Sequence, residues 1–106
     1  MKEFDIYQEF AKTTAVFPRE TALQYLALGL TGEAGEVANK LKKRIRGDEH
    51  YASNQEVAKE LGDILWYVAV LADELGVSLS EIATNNYEKL SIREANNTIK
   101  GSGDDR

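Results

Sequence analysis

Apolar residues recur along this chain at steps of three and four, the period of a helix that buries one face. A first helix is expected over about Phe4 to Ala15, with Phe4, Tyr7, Phe10 and Ala11 on it. Pro18 separates it from a long second helix that begins near Arg19 or Glu20 and runs to about Arg46. Leu23, Leu26, Leu30, Ala34, Val37, Leu41 and Ile45 give that helix a single apolar stripe, and Gly47-Asp48 ends it. Ser53-Asn54-Gln55-Glu56 has the Ser-x-x-Glu form of a capping box and opens a third helix. Its seam is Val57, Leu61, Ile64, Val68, Leu71 and Leu75, and Gly76 stops it. Ser78-Leu79-Ser80-Glu81 repeats the capping pattern and starts a fourth helix through Ile82, Asn86 and Leu90 to about Arg93. The pattern is all-α: a helical bundle of four main helices. Residues 1–97 read as one domain and 98–106 as a flexible tail.

The third helix carries more apolar surface than one neighbour needs. At about 100° per residue, its seam lies to one side of Glu60, Asp63 and Tyr67, while Trp66, Ala69 and Val70 lie to the other. Two apolar flanks suggest a further partner, most simply a second copy whose helices complete a four-helix bundle in a homodimer. The alternative is that the first or fourth helix of the same chain covers Trp66 and Val70.

Set within these apolar helices are two acidic doublets, Glu33-Ala34-Gly35-Glu36 and Glu60-Leu61-Gly62-Asp63. Carboxylates three apart share a helical face, so two packed helices can aim four oxygen ligands at one point. A lone doublet is usually a solvated face. Here both stand in helix interiors beside glycines (Gly32, Gly35 and Gly62), which allow close helix approach or ligand access. Gathered carboxylates repel one another unless a cation joins them. An all-oxygen set suits Mg²⁺, with Mn²⁺ as the other option. The single histidine, His50, falls in the loop between the doublets and not three residues from a glutamate on either helix, which disfavours a di-iron site. Lys40 and Lys43 follow Glu36 on the same side. They supply favourable charge near a helix C-terminus, or meet an anion whose other end touches the metal, as a polyphosphate would.

Composition narrows the class further. The chain has 106 residues, 42% of them hydrophobic, a net charge of −5 and no cysteine. That is enough for one modest core, and it excludes disulfides, thiolate metal sites and a thiol nucleophile. Acidic residues spread along the chain, with no basic face, argue against nucleic-acid binding. The longest apolar run, Ile64 to Ala72, is far below the roughly 20 residues a bilayer requires, so no membrane role is expected. The acidic N-terminal stretch Met1 to Asp5 does not resemble a signal peptide, and a cytoplasmic protein is expected.

The segments around the acids resemble the MazG-like nucleotide pyrophosphohydrolases of the all-α NTP pyrophosphatase superfamily. The resemblance rests on Gly29-Leu30-Thr31-Gly32-Glu33-Ala34-Gly35-Glu36-Val37, on Glu60-Leu61-Gly62-Asp63-Ile64-Leu65-Trp66-Tyr67, and on Asn86-Tyr87-Glu88-Lys89-Leu90-Ser91-Ile92-Arg93. Together these span roughly residues 20 to 93. Gly32 stands where many members double the first glutamate, a form that also resembles the dCTP pyrophosphatase branch. The resemblance implies hydrolysis of a nucleoside triphosphate, commonly a deoxynucleotide, to the monophosphate and pyrophosphate. It implies Mg²⁺ on Glu33, Glu36, Glu60 and Asp63, with Glu33 or Glu36 as first choice of general base. Lys43, Lys89 and Arg93, with Lys40, are then phosphate contacts, some of them contributed by a neighbouring subunit in a dimer or tetramer. Trp66, Tyr67 and Asn86 are candidates for holding base and sugar; Trp66 and Tyr67 serve equally as packing residues. Two rival readings are a phosphoribosyl-ATP pyrophosphohydrolase and a non-enzymatic acidic helical interaction module.

Overall fold

A computed structural model describes residues 1–48, 50 and 52–105. It contains α1 (Lys2–Thr13), a single 3-10 turn (Arg19–Thr21), α2 (Ala22–Ile45), α3 (Asn54–Glu74) and α4 (Leu79–Ala95), and no strand among those residues. The all-α expectation and the four helices are met. The start of the second helix moves: Arg19 to Thr21 form the 3-10 turn after Pro18, and α2 proper begins at Ala22. Both serine caps form, with Ser53 Oγ accepting from the Glu56 N–H at 3.2 Å and Ser78 Oγ from the Glu81 N–H at 3.0 Å. Gly47 and Gly76 take φ of +94° and +76° just past their helices, a left-handed ending that glycine adopts without strain. No described helix is long and apolar enough to cross a membrane.

Helices α2 and α3 form an antiparallel hairpin, the most extensive packing in the chain. Arg44 closes its loop end, donating through Nε and Nη2 to the Ala52 carbonyl at 2.8 and 2.6 Å and to Asn54 Oδ1 at 3.1 Å. At the other end Arg19 pairs with Glu74 at 2.7 Å, and the Phe17 ring stacks on Tyr25 with 5.5 Å between centroids. Of the two roles open to Gly32, Gly35 and Gly62, close helix approach is not seen at them and falls at Gly29 instead, while the space beside them leaves room for ligand access. A methyl group at Gly29 would collide with the Tyr67 ring, whereas at the other three it would meet open space.

The core centres on the Trp66, Ala69 and Val70 flank of α3; of the expected seam, Val68 and Leu71 pack against it, whereas Leu61 and Leu75 are exposed. Ala11 of α1, Leu26 of α2, Ala69 and Val70 of α3 and Leu79 of α4 are its buried members, with Phe4, Tyr7, Trp66 and Tyr67 packed around them. Meanwhile Leu61 is 55% exposed and Ile45 89%. The reason is α1. Its Ala11 shares the buried core with Ala69 and Val70, its Gln8 donates to the Ala69 carbonyl, and Thr14 at its end bonds Trp66, so α1 covers that flank within the chain. The intrachain alternative therefore accounts for that flank. Apolar surface on the hairpin (Leu28, Leu61 and Leu65) and on α4 (Tyr87, Leu90 and Ile92) remains exposed.

Candidate functional site

The hairpin register sets the site. With Gly29 opposite Tyr67 and Lys40 opposite Glu60, the two acidic doublets face each other midway along α2 and α3. Glu33, Glu60 and Asp63 each offer a carboxylate oxygen, all within 4.8 Å of one another; the first two are half-buried and Asp63 is exposed. Glu36, one turn beyond Glu33, is exposed and stands outside this trio, although its charge reaches Glu33.

Three acids this close cannot all ionise easily. A hydrogen bond shared with Glu60, then burial, then the charges of Asp63, Glu60 and Glu36 push the Glu33 carboxyl up to about 7. Glu60 moves the other way, held below the usual carboxylate range by that same hydrogen bond and by Lys40. Glu33 thus retains a proton near neutrality, which its neighbour accepts. A carboxyl whose folded pKa exceeds its unfolded value contributes stability that is present below about 4.5 and lost as pH rises through about 7. The lowered acids (Glu56, Glu60 and Asp104) act only below their ordinary values, and the raised lysines and tyrosines only around 10 and above. We therefore expect the melting temperature in EDTA to fall between pH 4.5 and 7, and Glu33→Gln to flatten that slope. An unchanged slope would contradict the shared proton.

Beside the trio opens a cleft of ≈ 400 Å³ lined by Thr14, Glu33, Asp63, Trp66 and Tyr67. The Trp66 and Tyr67 rings meet edge to face, 4.9 Å between centroids at 86°. Trp66 Nε1 donates to Thr14 Oγ1 at 2.7 Å, and that hydroxyl in turn donates to the Ala11 carbonyl at 2.8 Å. The indole is thereby locked as one wall of the cleft. Thr14 was not foreseen; a threonine closing a helix carries no pattern that marks it. Burial raises the Tyr67 phenol, with Tyr25, Glu33 and Asp63 adding to it, so it stays a hydroxyl facing the acids.

The basic residues are placed differently. Lys40 turns onto α3, its Nζ 2.9 Å from Glu60 Oε1 and 3.2 Å from the Glu56 carbonyl. Lys43 is half-buried a turn further along α2. Asn86, Lys89 and Arg93 lie on α4, and none of them lines the cleft. Lys89 instead pairs with Asp104 at 2.9 Å, and the buried Arg93 donates through Nη2 to the same residue's carboxylate and carbonyl. A second groove, ≈ 450 Å³ over Tyr87, Leu90, Ser91, Glu94 and Ala95, shares no residue with the cleft. His50 is exposed in the loop and belongs to no convergent set of potential metal ligands among the described residues.

Comparison with known proteins shows the family. The family model described as the MazG nucleotide pyrophosphohydrolase domain matches residues 21–98, which takes in α2, α3 and α4. The Gene 37 protein of Mycobacterium phage L5 is 42% identical over 96% of this chain and 97% of its own length. The protein YvdC of Bacillus subtilis (strain 168) is 39% identical over 60% of this chain and 68% of its own. No solved structure matches.

Proposed function

We propose that this chain, which belongs to the MazG nucleotide pyrophosphohydrolase family, hydrolyses a nucleoside triphosphate between the α and β phosphates. Water forms the new bond to the α phosphorus, the bridge to the β phosphate breaks, and monophosphate and pyrophosphate leave. The observation that carries this reading is the convergence of Glu33, Glu60 and Asp63 at the mouth of a cleft walled by Trp66 and Tyr67. The oxygen-only donor set fits a hard divalent ion, Mg²⁺ or Mn²⁺, and proton sharing between Glu33 and Glu60 marks the negative charge such an ion relieves. The ion would be held by these three, with Glu36, one turn from Glu33 and outside the trio, as the candidate for a fourth. Bound there, it would neutralise phosphate oxygens and lower the pKa of a water molecule.

The chain's own groups have assignable roles. Glu33 holds a proton near neutrality and, once ionised, is placed to accept one from water; Glu36, exposed and nearby, is the other base to test. Trp66 offers an indole face fixed by Thr14, and the Tyr67 hydroxyl and ring complete an apolar slot with polar edges for base and sugar. Lys43 lies on the acid-bearing helix as a contact for the departing pyrophosphate. Asn86 and Lys89 would reach a cleft from a neighbouring copy in a homodimer or tetramer, which would also cover the exposed apolar side chains of α3 and α4; Arg93, buried against Asp104, would join them only if that contact opens.

Incubation with a panel of canonical and modified (d)NTPs plus Mg²⁺, resolved by chromatography, tests this directly. Monophosphate and pyrophosphate are the expected products. Orthophosphate release, or no turnover of any nucleotide, would overturn the assignment. Turnover of phosphoribosyl-ATP alone would move the chain to the biosynthetic branch of the same chemistry.

A further inference from the structure

Lys40 occupies an unusual position for a lysine on a solvent-facing helix. Its side chain is only 17% exposed, and its three donors converge on α3: the Glu60 carboxylate at 2.9 Å, the Glu56 carbonyl at 3.2 Å and the Glu56 carboxylate at 3.6 Å. Lys59 reaches Glu56 from the surface, and Arg44 closes the hairpin loop. Glu60 is therefore claimed twice, by Lys40 on one side and by the acid trio on the other.

We propose that Lys40 is an internal cation for the acid cluster, a positioning residue that holds Glu60 in place and competes with a divalent ion for its charge. The inference rests on the reading that Glu33, Glu60 and Asp63 take such an ion. A positive charge on Glu60 and a second one in the trio repel each other across a few ångströms of half-buried space. Lys40 thus keeps the metal-free cluster from flying apart and, by the same contact, weakens its hold on the free ion. Coupling between two sites is reciprocal, so an ion entering the trio must also loosen Lys40 from Glu60. The site is then poorly filled by free Mg²⁺ and better filled by Mg²⁺ arriving on a triphosphate. The anionic oxygens of that triphosphate give the released ammonium a new partner.

The test uses Mg²⁺ alone, without nucleotide, titrated by calorimetry into the whole chain. Lys40→Met is expected to bind Mg²⁺ roughly 5-fold or more tightly than the wild type, the lower end of typical coupling between linked sites. Lys40→Arg, which keeps the charge, is expected to stay near the wild-type affinity. A merely structural lysine predicts a lower melting temperature for Lys40→Met with unchanged Mg²⁺ affinity, and that result, like weaker binding, overturns the proposal. Should Lys40→Met not fold, the wild type suffices: the ¹⁵Nζ resonance of Lys40 must move as Mg²⁺ binds, and a resonance that stays fixed while Mg²⁺ binds overturns it. Absence of any Mg²⁺ binding by the wild type and by Lys40→Met alike would instead overturn the metal reading of the trio, a failure distinct from that of Lys40.

Discussion

Replacing Asp63 with asparagine is expected to slow pyrophosphate release about 10²–10³-fold, the range found when one preorganised electrostatic contact is removed from a reacting centre. The amide would keep the shape of the side chain and one oxygen ligand but none of the charge. Because Asp63 is the exposed member of the trio, its loss removes no buried packing. It also removes one of the like charges that raise the Glu33 carboxyl. The variant should therefore fold at least as well as the wild type in EDTA, bind Mg²⁺ less tightly and turn over slowly. That combination separates a damaged site from a damaged fold. Glu36→Gln is the informative companion, since Glu36 lies outside the trio while its charge still reaches Glu33. A loss comparable to that of Asp63→Asn would show that substrate or ion draws Glu36 inward. Full activity in Asp63→Asn would remove the trio from the mechanism.

The acids and their helices were legible from sequence for a simple reason. Spacing three apart puts carboxylates on one face whatever the helix packs against, and a short loop makes an antiparallel hairpin that brings two such faces together. The serine caps were equally readable, because a cap is a local hydrogen bond between residues three apart. What periodicity does not encode is which apolar flank meets which neighbour. Both flanks of α3 are hydrophobic, and α1 settles which is buried more deeply: it covers Ala69 and Val70, while Leu61 on the other flank stays half exposed. Thr14 was invisible on the same ground, since its role depends on Trp66, 52 residues away. Lys89 and Arg93 read as phosphate contacts by resemblance, and within the chain they hold Asp104, a tail carboxylate that no helical pattern would place there.

Gln8 is the residue on which that choice of flank turns, and its replacement by leucine carries the largest expected loss of stability. It is 5% exposed on a helix whose other neighbours at that face are apolar. Its Nε2 donates to the carbonyls of Ala69 at 3.0 Å and Val77 at 3.2 Å, and its Oε1 accepts from the Leu79 N–H at 3.0 Å. The last two belong to the α3–α4 corner, where the first N–H groups of α4 have no partner within the helix. One amide side chain therefore joins α1, the end of α3 and the start of α4. Leucine would fill the space and leave the buried Leu79 N–H without a partner, at about 1–3 kcal/mol, and the part-buried Val77 carbonyl without this one, at somewhat less. The total is a large part of the roughly 5–15 kcal/mol that holds a domain folded. At about 4–8 °C per kcal/mol for a small domain, the melting temperature should fall by about 10 °C or more. Gln8→Glu keeps the acceptor for Leu79 but loses both donations and buries a charge, so it too should destabilise, most strongly above the carboxyl's pKa. If Gln8→Leu melted within a degree or two of the wild type, α1 would be held by its alanines alone. The wall that Thr14 and Trp66 make for the cleft would then depend on packing and not on this hydrogen-bonded corner.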